Sequence, residues 1–125
     1  MNKVKKVLIA MFGLLMFPLL FACSNSQSQG VEAIKTKGKL VVALNPEFAP
    51  FEYQKLVDGK NQIVGSDVEL AKAIAKELGV EVEFSPMSFD NVLASLDSGK
   101  ADLAISGVSK TEERSQVYDF SIPYY

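Results

Sequence analysis

The chain opens on a sharp change of polarity and then settles into short apolar runs separated by amphipathic segments. Lys3, Lys5 and Lys6 sit in a start with no acidic group, and Val7–Phe21 is then apolar apart from Gly13 and Pro18. Ala22-Cys23 closes that run, and Ser24–Gly30 is polar. A basic start, a short apolar core and a small residue at its end form the pattern of a secretory signal over residues 1–22. About 15 apolar residues fall short of the ~20 that a spanning helix needs, so a permanent transmembrane anchor is not expected. Ser24–Gly30 lacks large apolar residues and reads as a flexible tether, the main part of a linker expected over residues 23–37. Val31–Lys39 reads as a short lead-in.

Past the tether the pattern is α/β. Leu40-Val41-Val42-Ala43-Leu44 is a continuous apolar run rich in β-branched residues, as a strand buried on both faces requires. Asn45-Pro46 breaks it. Phe51–Val57 and Gln62–Gly65 flank Asp58-Gly59-Lys60-Asn61, the pattern of a hairpin. Asp67–Leu78 places Val68, Ala71, Ile74, Ala75 and Leu78 on one helical face, with Ser66 or Asp67 able to cap the start and Gly79 to end it. Val80–Phe84 alternates, which suits a strand nearer the sheet edge. Phe89–Leu96 predicts a second helix with Val92, Leu93 and Leu96 inward, and Ala101–Ile105 a third strand. Ser106–Ser109 is a loop. A further helical turn is expected near Thr111, where Ser109 and Glu112 have capping-box spacing. Tyr118–Ser121 reads as a short extended segment. No repeat at solenoid periods interrupts this order.

Right-handed crossovers make the three main strands parallel. Ligands of open parallel sheets gather beyond the carboxyl ends of the strands. Three segments leave those ends, Asn45–Phe48, Met87–Phe89 and Ser106–Ser109, and topology converges them on one rim. Asn45 brings an amide, Phe48 and Phe89 flat apolar faces, and Ser106, Gly107 and Ser109 hydroxyls and backbone groups. Arg114 lies just beyond, and it is the only arginine, against twelve lysines. Its planar fork can hold a carboxylate through two parallel hydrogen bonds, which lysine cannot reproduce. A nearby helix start also favours an anion. This set suits a small zwitterion. Each member also has a plainer use. Arg114 could pair with Glu112, Glu113 or Asp119, the two phenylalanines could be core, Asn45 a turn residue, and Ser106 and Ser109 loop or cap groups.

Composition narrows the function class. The chain has 13 lysines and arginines and 15 acidic residues; three of the lysines lie in residues 1–22, which leaves 10 against 15, a net charge of about −5, after that segment. Such a balance argues against a nucleic-acid partner or an electrostatic grip on anionic lipid. With no histidine and a single cysteine, no metal site and no cofactor are expected. Cys23 has no partner for an intramolecular disulfide. Leu20, Ala22 and Cys23 instead resemble a lipobox, where bacteria attach diacylglycerol to the thiol and cleave before the cysteine. Two acyl chains give stable membrane association where one is marginal.

Gly65-Ser66-Asp67-Val68-Glu69-Leu70, followed by Ala71–Leu78, resembles the signature of the bacterial extracellular solute-binding proteins of family 3. The likeness runs from about Gly38 to Tyr125. It takes in Leu40–Phe51, Met87-Ser88-Phe89, the stretch Ala101–Arg114 and the close Asp119–Tyr125. Several motifs in the right order are specific where any one alone is weak.

The resemblance implies a periplasmic-binding-protein-like type II fold, here a partial first lobe over residues 38–125 with a mostly parallel sheet flanked by helices. It implies a monomeric lipoprotein, held outside the cytoplasm on a Gram-positive-like surface, that passes a polar amino acid to an ABC permease. Arg114 would clamp the α-carboxylate and Ser109 would add its hydroxyl and N–H. The Gly107 backbone would help hold the ammonium, and Phe48 and Phe89 would sandwich the side chain. Asn45 stands where such proteins often carry an acidic residue, and its neutrality points away from a basic amino acid. Ser66 departs from the usual larger residue at a position that looks structural, and Asp67 and Glu69 look like helix-start and solvent residues. Family members are two-lobed and roughly twice this length, so residues 23–125 alone are expected to bind weakly or not at all. Two other readings remain: a dehydratase of cyclic carboxylates on the same fold, for which only Glu47 lies near the rim as an acid, and a ligand-sensing module.

Overall fold

A computed structural model describes residues 30–125. The expected signal segment, the lipobox with Cys23, and the tether up to residue 29 lie outside the described residues. Val31–Lys37, assigned above to the linker and lead-in, is a helix, α1. Ile34 fastens it to the core, so the ordered domain begins earlier than residue 38.

The sheet is organised around β1 (Lys39–Leu44), which is buried from Leu40 onward. The hairpin strands β2 (Glu47–Phe48), β3 (Glu52–Val57) and β4 (Lys60–Val64) follow, then helix α2 (Ser66–Leu78). After these come β5 (Glu81–Pro86), α3 (Phe89–Asp97), β6 (Leu103–Ala104) and the single turn α4 (Glu112–Ser115). β1 pairs in parallel with β5 on one side, Leu40 opposite Val82, and with β6 on the other, Val42 opposite Leu103. The strand order β5-β1-β6 makes Val80–Phe84 an edge region, as its alternation requires. β2, β3 and β4 form a separate antiparallel sheet.

Successive strand side chains point to opposite faces, so β1 feeds two cores. Leu40 and Val42 pack with Ala71 and Ala75 of α2, with Ile34 and with Ile105. Val41 and Ala43 pack with Val92 of α3 and with Ala101. That is why the run carries no polar position. Each fully buried valine or leucine here contributes roughly 1.5–3 kcal/mol of transfer free energy. Asp102 anchors the start of β1: it accepts from Val41 N at 2.8 Å and from Lys37 Nζ at 2.7 Å, tying α1 to the sheet.

Several local expectations shift. The hairpin turn tightens to Asp58-Gly59, both at positive φ, which matches the twist of the flanking strands. The third strand shortens to Leu103–Ala104, and Tyr118–Ser121 forms no strand. α2 is not capped by a side chain of Ser66 or Asp67. The carbonyls of Pro50 and Phe51 accept from Ser66 N and Asp67 N instead, at 3.2 and 2.9 Å, so the turn between β2 and β3 caps the helix. Only glycine fits at position 65, where φ is 130° and a Cβ would stand 2.1 Å from Phe51 O. α4 is capped by Thr111, whose hydroxyl accepts from Arg114 N at 3.2 Å, and not by Ser109. Thr111 wins because its hydroxyl sits three residues before an N–H that the turn leaves free.

Candidate functional site

The three segments leaving the carboxyl ends of β1, β5 and β6 converge, and the contacts that draw them together are polar. Met87 N donates to Leu44 O at 3.0 Å, and the Asn45 side-chain amide donates to Met87 O at 3.2 Å. Asn45 N donates to Ser106 Oγ at 2.8 Å, and Ser106 Oγ in turn donates to Glu52 Oε1 at 2.8 Å. Two residues expected to face a ligand therefore also bind the protein, Asn45 through an amide N–H and Ser106 through its hydroxyl. Ser106 is buried, with its hydroxyl both accepting and donating. Asn45 stitches the first rim segment to the second and third.

Beside this knot lies a cavity of about 290 Å³. Phe48, Phe51, Asp67, Gly107 and Ser109 line it, and residues 120–125 close one side. Phe48 presses against Gly107: a Cβ there would come within 2.8 Å of the ring. Its ring centroid is 5.2 Å from that of Phe51, which meets Tyr125 edge-on at 4.6 Å. Phe48 remains 51% exposed although it is large and apolar, as a ring kept for a ligand would be.

Of the seven residues proposed for ligand contact, Phe48, Gly107 and Ser109 line this cavity; Asn45, Phe89, Ser106 and Arg114 do not. Arg114 lies close by. Its Nη1 donates to the Ser109 carbonyl at 2.9 Å, which holds the guanidinium against the loop and leaves its other N–H groups free. Among the described residues it makes no salt bridge with Glu112, Glu113 or Asp119. Phe89, the first residue of α3, is 44% exposed and stands outside the cavity wall.

Two residues with no rim role in the sequence reading are central to the structure. Glu52 and Asp67 are 0% and 1% exposed. Asp67 is not a solvent-facing helix-start residue, because the start of β3 packs over it. Tyr124 OH donates to Asp67 Oδ2 at 3.1 Å. Burial first, and then the neighbouring Asp67, push the Glu52 carboxyl up to about 7, against the opposing hydrogen bond from Ser106. Burial and the Asp67 charge also raise the Tyr124 hydroxyl well above its usual range. A carboxylate in a strand that otherwise faces solvent gives little warning of burial. The one signal was position: Glu52 directly follows the aromatic Phe51 that caps α2.

Residues 40–125 match the bacterial extracellular solute-binding proteins, family 3. The chain is 44% identical over 106 residues to the arginine-binding extracellular protein ArtP of Bacillus subtilis, covering 85% of this chain and 39% of that protein. Its structure is similar to that of AbpA, an amino acid ABC transporter substrate-binding protein of Streptococcus pneumoniae bound to L-arginine. There the TM-score is 0.74 and the identity 86%, over 75% of this chain and 40% of that one. It is also similar to domain 1 of ArgBP from T. maritima in its arginine-bound form, with TM-score 0.69 and 48% identity, over 74% of this chain and 71% of that one. The chain spans less than half the length of the curated relatives it matches.

Proposed function

The chain belongs to the bacterial extracellular solute-binding proteins, family 3, and from that premise we propose that it captures L-arginine or a closely related polar amino acid for an ABC importer. The observation that carries the reading is the aromatic-walled cavity under Phe48 and Phe51, with the only guanidinium of the chain held at its loop by Ser109. The free N–H groups of Arg114 suit an α-carboxylate. Ring faces such as Phe48 suit a flat cationic side chain. The 86% identity to a protein bound to L-arginine supports the choice of ligand.

That choice runs against the expectation drawn from Asn45. One observation supports this choice: an Asn45 amide N–H donates to Met87 O, which gives the side chain a part in loop packing besides any contact with a ligand. The expected weakness of a single lobe is also tempered, since a domain 1 of similar extent exists in an arginine-bound form. The single lobe then binds the amino acid saturably.

The rest of the assignment extends the same proposal. Residues 1–22 direct export, Cys23 carries the lipid, and the monomeric protein works outside the cytoplasm beside a membrane permease. Among the described residues no helix is long and apolar enough to cross a membrane. The dehydratase reading has less support. Among the described residues the one carboxyl raised to about 7, Glu52, is fully buried, out of reach of a substrate.

Calorimetric titration of the chain with L-arginine tests the proposal. Arg114→Ala removes charge-assisted hydrogen bonds and should weaken binding by about 1.5–3 kcal/mol, roughly 10- to 150-fold. Unchanged affinity in that variant would remove the carboxylate clamp.

A further inference from the structure

The buried pair behind the rim poses a problem of valence. Glu52 Oε1 accepts from Ser106, and Asp67 Oδ2 accepts from Tyr124. Their other oxygens, Glu52 Oε2 and Asp67 Oδ1, are buried and have no donor among the described residues. The two carboxyl groups are buried together where the chain entering β3 meets the start of α2, Asp67 N donating to Phe51 O at 2.9 Å, and the neighbouring Asp67 raises the Glu52 carboxyl. Ionised carboxylates only accept, so two ionised groups would leave both oxygens bare and repelling. One proton between them satisfies both at once, with a carboxyl O–H donating to a carboxylate.

Other sources of compensation are missing from the surroundings. The titratable groups facing Glu52 are Asp67 from α2 and Tyr124 from the C-terminal segment; Ser106 and the backbone of Asn45 complete the network. No salt bridge among the described residues involves either carboxylate. No group of three or more metal-ligating side chains occurs there either, which disfavours a bound cation in place of the proton.

We propose that Glu52 and Asp67 share a single buried proton, and that this makes Glu52 a positioning residue for the ligand loops. The linkage is short. The proton fixes β3 to the start of α2, Glu52 fixes Ser106, and Ser106 fixes Asn45 and the loop that carries Gly107 and Ser109. Loss of the proton to solvent takes the pair from one negative charge to two. The repulsion then pushes β3 from α2 directly behind Phe51, a wall of the cavity.

The consequence for stability has a definite sign. A carboxyl at about 7 in the folded chain, against 4.5 for the unperturbed group, contributes stability that is complete below 4.5 and lost as pH rises toward 7. The consequence for binding appears where the folded chain itself deprotonates, near pH 7. This second arm rests on the arginine-capture reading; the first does not.

The experiment follows both arms in the full chain. Carboxyl 13C NMR of glutamate-labelled protein should show one glutamate titrating near pH 7, and Asp67→Asn should move that titration toward the ordinary glutamate range. Thermal midpoints from pH 4 to 8 should fall more steeply for the wild type than for Glu52→Gln, whose amide can donate to Asp67 at every pH. Arginine affinity should drop about fivefold or more between pH 6 and 8 in the wild type and stay level in Glu52→Gln. If every glutamate titrates below pH 5, the shared proton is excluded, whether or not Glu52→Gln folds. If the proton is seen but affinity rises through pH 7, the pair acts on the cationic ligand as bare charge, and the positioning role is wrong. If the proton is seen and no arginine binds at any pH, the capture reading fails and the proton survives.

Discussion

The two faces of β1 and the carboxyl end of the same strand are built on opposite principles. Along its length, the side chains of Leu40 to Leu44 make apolar contacts, with α2 on one side and α3 on the other. One residue later, at Asn45, the holding contacts are hydrogen bonds, from Asn45 through Ser106 to Glu52, with a second pair, Tyr124 to Asp67, beside them. The apolar half is non-directional, so it sets which elements pack but not where a given atom points. The polar half is directional and sits in low dielectric, so it fixes loop atoms closely and fails sharply when one member is lost. A site that must hold three loops in register uses the second kind, and the scaffold beneath it uses the first.

Breaking the apolar half should have the largest effect. Leu40→Ala in a fully buried position should cost about 2–5 kcal/mol by chemical denaturation, with the pH dependence ascribed to Glu52 left in place. A Leu40 variant that lost its pH dependence as well would show that the two halves are one cooperative network. Gly65→Ala probes the joint between them. Its Cβ would meet Phe51 O, and its φ of 130° is one that alanine avoids, so a loss of about 1–3 kcal/mol is expected. Because Phe51 walls the cavity, arginine affinity should fall in the same variant. Stability lost with affinity intact would detach the α2 cap from the site. The smallest effect should come from the solvent face of α2. Lys72 pairs with Glu69 at 2.8 Å across an exposed turn, and Lys72→Ala should change stability by about 0.5 kcal/mol or less. A larger change would mean that the outer surface carries stability this comparison assigns to the interior.

Legibility in the sequence followed the same division. The strand at Leu40–Leu44, the helix to Leu78, the second helix from Phe89 and the parallel order of the three strands could be read because apolar periodicity is a local signal. The rim could be placed because it follows from topology. Its inner workings could not. Asn45 and Ser106 have the right chemistry for a ligand, but an amide N–H of the first binds Met87 and the hydroxyl of the second binds Glu52, partners 42 and 54 residues distant. Asp67 has the look of an ordinary helix-start carboxylate, and only the approach of β3 buries it. Ser109 has the spacing of a cap, yet Thr111 takes that role. Val31–Lys37 gave too short a periodic stretch to identify as a helix, and Ile34 earns its burial from the sheet.

The sequence by itself determined the layered α/β plan, the end of the sheet where a ligand would gather, and the solitary arginine available for an acid group. Those depend on side-chain periodicity and residue count, which any stretch of chain displays without its neighbours. Only the tertiary structure decided which polar groups stay free and which are consumed, and that a glutamate in a hairpin strand is held near neutrality. Hydrogen-bond saturation and desolvation are set by whatever distant segment closes over a group, and no local pattern of residues encodes that.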